Sequence, residues 1–348
     1  MSNQKRKAAV KKLKVLSYNA KTDVNMFRRK IEDEFRTVFL PSHTEKQERT
    51  FGGITCDFLI PEIHASKRIL FYIHGGCFVG GSRASYRNFT SMLANKAYSR
   101  TVVPEYRLAP AHPFPAAIDD VQAAFRAMFA EEEAARNLEA MKRKENLSVF
   151  SMNAESLEEE PEIIVAADGA GASIACAMLF NLRERYKKCI KKLVLFSPWL
   201  DISDSSPLKT DKKTSDEIMS GEVLSKSSTA YSYSSNLSNP LVSPLYASRE
   251  FFQGFPSTYI QIGEKEILLD DAKEFLKLVK GAGVDCTLDI WNDMMHLFQM
   301  AGEFLDEAHE ALDKFSYIVA SDRESKQNEE TISVHNKPRL EKSLESEA

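Results

Sequence analysis

The chain has 348 residues, 43% of them hydrophobic and 28% charged, a balance that supports a full buried core and excludes a compositionally disordered protein. A formal net charge of −4 excludes nucleic acid as the main partner, because phosphate binding needs a concentrated basic surface. Cys56, Cys77, Cys176, Cys189 and Cys286 are scattered without a CxxC or Cys/His spacing suited to zinc, so they read as reduced thiols of a cytoplasmic protein with no metal site.

Residues 1–20 begin with a basic run, MSNQKRKAAVKKLKVL, that no secretory apolar stretch follows; a flexible, solvated arm is expected. No segment approaches the roughly 18 consecutive apolar residues of a membrane span. In 23–40, Met26, Ile31, Phe35, Val38 and Phe39 recur at mixed helical spacing, which predicts an amphipathic helix. Short apolar runs then follow at 54–60, 68–75, 101–107, 162–168, 191–199, 257–263 and 286–291, with helical stretches such as 116–146 and 270–283 between them. Strands apolar on both faces, alternating with helices, predict an α/β fold with a mostly parallel sheet covered on each side.

Residues 21–320 read as one domain. Two segments break its rhythm: a charged insertion at 131–161, and a Ser-, Asp- and Lys-rich stretch at 201–246 that carries Ile218, Met219, Val223 and Leu224. The latter, with 21–50, is expected to form a cap over the site. Residues 321–348 read as a disordered polar tail.

Chemistry concentrates at strand ends. HGGCFVGGS, His74 to Ser82, follows the run RILFYI, and consecutive glycines there allow backbone N–H groups to turn toward a ligand and stabilise an oxyanion. IIVAADGAGASIA, Ile163 to Ala175, reads as a buried strand, a tight turn and a helix start, with Gly169 at the apex.

HGGCFVGGS followed by VPEYRLAPAHPFPAAIDD (103–120) resembles the hormone-sensitive-lipase family of α/β-hydrolases, whose members carry an HGGG loop and then a segment close to DYRLAPEHPFPAALDD. The likeness continues through SPWLDIS (197–203), NPLVSPLYA (239–247), IGEKEILLDDA (262–272) and DMMHLF (293–298). It implies an α/β-hydrolase fold with a helical cap, and no cofactor. At the family's GDSAGG elbow this chain reads Ala167, Asp168, Gly169, Ala170, Gly171, Ala172, so Gly169 stands where the nucleophilic serine is expected. The base corresponds to His296 and the acid to Glu266, where many members have Asp. The oxyanion hole corresponds to the amides of Gly76, Cys77 and Ala170, with Gly75 and His74 supporting the loop. Asp270 and Asp271 are weaker candidates for the acid and read as caps of the following helix.

Two substitute nucleophiles present themselves, the Cys77 thiol and Ser173, but the first lies on the oxyanion side and the second one helical turn beyond the apex. Two functional readings follow. One is a pseudoenzyme of carboxylic-ester-hydrolase ancestry that binds a small apolar acyl ester or lactone. The other is an active carboxylesterase or lipase-like hydrolase in which His296 activates water directly. A lone glycine substitution in an otherwise active esterase would leave the same trace.

Overall fold

All seven apolar runs expected as strands join one sheet. The structure, a computed structural model, describes residues 3–36, 40–41, 43–147, 160–203, 215–320 and 332–335. The strands are β1 (Thr44–Phe51), β2 (Ile54–Pro61), β3 (Arg68–Ile73), β4 (Arg100–Pro104), β5 (Glu162–Asp168), β6 (Ile190–Phe196), β7 (Ser257–Gly263), β8 (Cys286–Trp291) and β9 (Ile332–His335). The helices are α1 (Asn3–Leu13), α2 (Val24–Phe35), α3 (Arg83–Ala97), α4 (Ala116–Leu147), α5 (Gly171–Asn181), α6 (Glu184–Lys187), α7 (Gly221–Tyr231), α8 (Leu269–Gly281) and α9 (Asp306–Ala320). The sheet order is β1-β2-β4-β3-β5-β6-β7-β8-β9. The pairs β1–β2 and β2–β4 are antiparallel and the rest parallel.

Central β5 is buried at every position, as expected of a parallel strand covered on both faces. It delivers the chain directly into α5, whose residues from Gly171 to Leu179 are all buried. The helix can lie that close only because residue 171 has no Cβ: one added there would collide with the carbonyls of Ile73 and His74 at the end of β3. The end of β5 and the loop after β3 are thereby pressed together.

Three features of the chain differ from the sequence reading. The basic N-terminus is not a free arm. It forms α1, which buries Ala9 and Leu13 and continues to a buried Leu16. Arg6 pairs with Glu217 and Asp293, and Lys12 with Glu303; the cations that suggested solvation anchor the helix. The expected cap at 21–50 is divided: Val24–Phe35 is helical, while Thr44–Phe51 is an edge strand joined to β2 through Gly52 and Gly53, both at positive φ, the geometry of a tight hairpin. The charged segment does begin as the expected helix, with α4 reaching Leu147, and 148–159 lie outside the described residues. Of the expected disordered tail, Ile332–His335 pairs in parallel with β8; its other residues lie outside the described set. In the second cap segment, Ile218, Met219, Val223 and Leu224 are buried.

The docking of α1 generates a test. Truncating a buried leucine costs about 2–5 kcal/mol, here charged largely to the contact between α1 and the body. Leu13→Ala should make the Lys11, Lys12 and Lys14 bonds at least about tenfold more susceptible to trypsin. Equal cleavage rates in parent and variant would indicate an arm that is already free.

Candidate active site

The turn at the end of β5 sets the geometry. Gly169 has φ +46, its N–H donates to Phe196 O at 3.1 Å and its carbonyl accepts from Trp199 N at 3.0 Å. A Cβ built on Gly169 would meet no protein atom closer than His296 Nε2, 3.8 Å away. A side chain at this position would therefore point at the imidazole.

His296 lies in the loop after β8. Its Nδ1 is 2.9 Å from Glu266 Oε2, and both residues are buried. The other carboxylate oxygen, Oε1, accepts from Gly263 N at 2.6 Å and from Ser197 Oγ at 2.7 Å. Ser197 Oγ in turn accepts from Leu297 N at 3.0 Å, tying the histidine loop to the acid. Burial disfavours the imidazolium, but the hydrogen bond to Glu266 and its charge outweigh burial and hold the His296 pKa above its ordinary 6.5. Burial pushes the Glu266 carboxyl up, against the pull of His296.

On the opposite wall, the amides of Gly76, Cys77 and Ala170 donate to no acceptor among the described residues. All three residues border the same small cavity as Gly169 and His296. Behind them, Asp168 accepts from Gly75 N at 2.8 Å, Tyr72 Oη at 2.7 Å and Tyr86 Oη at 2.9 Å. His74 stacks between Tyr86 and Tyr106, with ring centroids 5.1 and 4.4 Å away, and its Nδ1 is 2.8 Å from Gly75 O. His74 and Gly75 thus brace the glycine loop from beneath.

The cavity holds about 10 Å³, the space of roughly one water molecule. Leu16, from the N-terminal segment, and Met219 also line it. Cys77 Sγ donates to Leu16 O at 3.5 Å, while Lys226 Nζ donates to Asn19 O at 2.8 Å and Thr22 O at 2.6 Å. A space of this size does not hold an ester.

The structure brings together every expected site residue: Gly169, Glu266, His296, Gly76, Cys77, Ala170, His74 and Gly75. The competing candidates lie elsewhere or are inert. Ser173 Oγ donates to Trp199 O at 2.5 Å, and burial raises the Cys77 thiol to about 11. Asp271 accepts from Asp201 N at 3.1 Å, and α8 has no side-chain cap, so the expected capping by Asp270 or Asp271 is not observed. Sequence reasoning missed Ser197 and Leu16. The first stands in a quoted motif, SPWLDIS, and could have been singled out there; the second belongs to the stretch read as solvated.

Comparison with known proteins agrees with this geometry. A family model described as alpha/beta hydrolase fold matches residues 70–300. The chain is 29% identical to an esterase of Acinetobacter venetianus, over 74% of this chain and 76% of the relative. It is 28% identical to an acetyl-hydrolase of Streptomyces hygroscopicus, over 76% and 79%. Among solved structures it is similar to an esterase from the bacterial hormone-sensitive lipase family, with a TM-score of 0.75, 26% identity and coverage of 92% of this chain and 98% of that one.

The two buried ionisable groups behind the glycine loop give opposite pH dependences. Burial lowers His74 to about 4. Between there and its ordinary 6.5 the unfolded chain binds a proton that the folded chain refuses, so stability rises with pH. Burial raises Asp168 from 3.8 to about 6; in that window the folded chain holds the extra proton and stability falls with pH. Each effect is worth about 3 kcal/mol, and they largely cancel. Asp168→Asn should uncover the His74 effect: relative to the parent, its urea-unfolding free energy should drop by about 3 kcal/mol from pH 6.5 to 4. Parallel pH profiles for the two proteins would refute this assignment.

Proposed function

The chain belongs to the hormone-sensitive-lipase-like α/β-hydrolases, and from that premise we propose a carboxylic-ester hydrolase site in which water replaces the serine hydroxyl. The carrying observation is the open position at Gly169. A Cβ there would face His296 Nε2 at 3.8 Å, and the adjoining cavity has room for about one water. Gly169 thus marks the position of the missing nucleophile. His296 is the base, Glu266 orients it, and Gly76, Cys77 and Ala170 supply the oxyanion donors, with His74 and Gly75 as support. The ligand is a small apolar acyl ester or lactone.

In this mechanism His296 Nε2 takes a proton from water as its oxygen bonds to the ester carbonyl carbon. The negative charge on the former carbonyl oxygen is met by the three backbone amides. Collapse of the intermediate breaks the bond to the alcohol oxygen, which receives the proton from His296. No acyl-enzyme forms, so turnover is slow: without the nucleophile, oxyanion binding and positioning leave about 10³–10⁴ over water. Activity should rise with pH through the elevated pKa of His296, since only the neutral imidazole acts as base. Five free, buried cysteines fit a reducing, cytoplasmic setting, and no described helix is long and apolar enough to cross a membrane.

The names of the relatives, esterase and acetyl-hydrolase, support hydrolysis. The absent hydroxyl and the small cavity favour a second reading, a pseudoenzyme that binds esters without turnover. Assays of the purified protein with short-chain aryl esters separate the two. Slow hydrolysis that His296→Ala abolishes supports the water mechanism; thermal stabilisation by esters or lactones without turnover supports the binder. A phosphonofluoridate probe should leave the protein unlabelled, and a stoichiometric adduct on Ser173 or Cys77 would overturn both.

Gly169→Ser should raise esterase activity at least about a hundredfold, given losses of about 10⁴–10⁶ on removing a triad serine. The positive φ at 169 opposes the change by about 1–3 kcal/mol, but the Cβ has open space. A folded Gly169→Ser protein with no gain, alone or with Ala167→Gly added, would refute the nucleophile assignment of this position.

A further inference from the structure

Asp289 of β8 lies away from the cavity at Gly169, with a fully buried carboxylate. Oδ2 accepts from Tyr259 Oη at 2.5 Å and Trp291 Nε1 at 2.8 Å. Oδ1 accepts from Lys314 Nζ at 2.5 Å. Two further partners come from β9: Ser333 Oγ donates to Asp289 Oδ1, and His335 Nε2 is 2.7 Å from the same oxygen. Lys314 Nζ also donates to Ser333 Oγ at 3.0 Å, and the His335 ring stacks on Trp291 with centroids 4.1 Å apart and planes within 14°.

The orientation of β9 is the reverse of an ordinary edge strand. Ile332 and Val334 are 44% and 50% exposed, while Ser333 and His335 face the sheet and reach the carboxylate. Apolar burial therefore does not account for the docking. Main-chain pairing supplies the strand and the two polar side chains supply the recognition, the division of labour seen when a peptide adds to a sheet edge. Without β9 the carboxylate still has Tyr259, Trp291 and Lys314, so departure of the strand leaves no bare buried charge. The carboxylate keeps partners with the strand on or off, while the main-chain groups of the β8 edge are left open to pair with another extended segment.

We propose that the β8 edge is a peptide-recognition site that reads Ser-x-His in an extended, parallel strand, with Ile332–His335 of this chain as its resident ligand in cis. The tether gives that segment a high effective concentration, so it outcompetes free peptide.

The test uses the full chain and a Ser333→Ala/His335→Ala double variant, whose changes remove only side chains of β9 and leave Tyr259, Trp291 and Lys314 on Asp289. Hydrogen exchange should be at least about tenfold slower at the backbone amides of 332–335 in the parent than in the variant. A fluorescent peptide of sequence TISVHN should bind the double variant at least about tenfold more tightly than it binds the parent, because the parent's edge is occupied. A control peptide with Ser and His replaced by Ala should bind neither. Equal exchange in the two proteins, equal peptide affinities, no detectable binding to the variant, or binding that ignores the Ser and His would each overturn the proposal. Exchange protection that grows with protein concentration would place the segment on a second copy and overturn the assignment in cis.

Discussion

Asp168 joins the two loops on which the site depends. Its carboxylate receives Gly75 N from the glycine loop and the hydroxyls of Tyr72 and Tyr86 from β3 and α3, and its own backbone leads into the turn at Gly169. The distance between the amides of Gly76 and Cys77 and the amide of Ala170 is thus set by one buried side chain. Burying a carboxylate is unfavourable, and its pKa rises to about 6, so three donors lower the penalty without removing it. The neutral His74 stacked nearby contributes no compensating cation. Stability is given up here to hold backbone donors still, the pattern expected where preorganisation matters more than folding free energy.

The same logic extends to Glu266 and His296. Ser197 is at φ +46, a left-handed conformation that side chains other than glycine rarely adopt, and it links Glu266 Oε1 to the amide of Leu297. Backbone strain and a buried acid–base pair both persist beside a position that carries no side chain. If the pocket served packing alone, apolar residues would fill it more cheaply. A polar arrangement directed at one water-sized space has a purpose under the proposed water mechanism that packing alone does not give it.

Legibility in the sequence followed the locality of the physics. The core strands were legible because both faces of each are buried, and the run EIIVAAD says so by itself. The turn at Gly169 and the loop at Gly75–Gly76 were legible because backbone conformation restricts which residues can stand there. Pairing His296 with Glu266 needed the family resemblance, since nothing in the chain between positions thirty apart brings the two together. Thr44–Phe51 escaped notice because its exposed pattern lacks apolar alternation; it is a strand by virtue of its hairpin to β2. The N-terminal helix was misread for a related reason. Its partners, Glu217, Asp293 and Glu303, are distant in sequence, and a row of lysines and arginines without them reads as solvent-facing.

Segments from opposite parts of the chain, α1 and β9, converge on the loop that carries His296. Arg6 donates to Asp293 O at 2.6 Å and to its carboxylate at 3.0 Å, while Lys265 pairs with the same side chain. From the other side, His335 stacks on Trp291, which in turn packs against Phe298 with centroids 5.5 Å apart. His296 lies between these two supports. Asp293 and Leu297 both adopt positive φ, so the loop relies on such outside contacts to stay in its conformation. Residues expected in a flexible arm and a disordered tail are therefore placed to fix where the imidazole stands, and the N-terminal helix and the His296 loop share an anchor at Asp293. Loss of the N-terminal helix would remove the Arg6 contacts to Asp293, leaving Lys265 and the packing of Trp291 on Phe298 to hold the loop that carries His296.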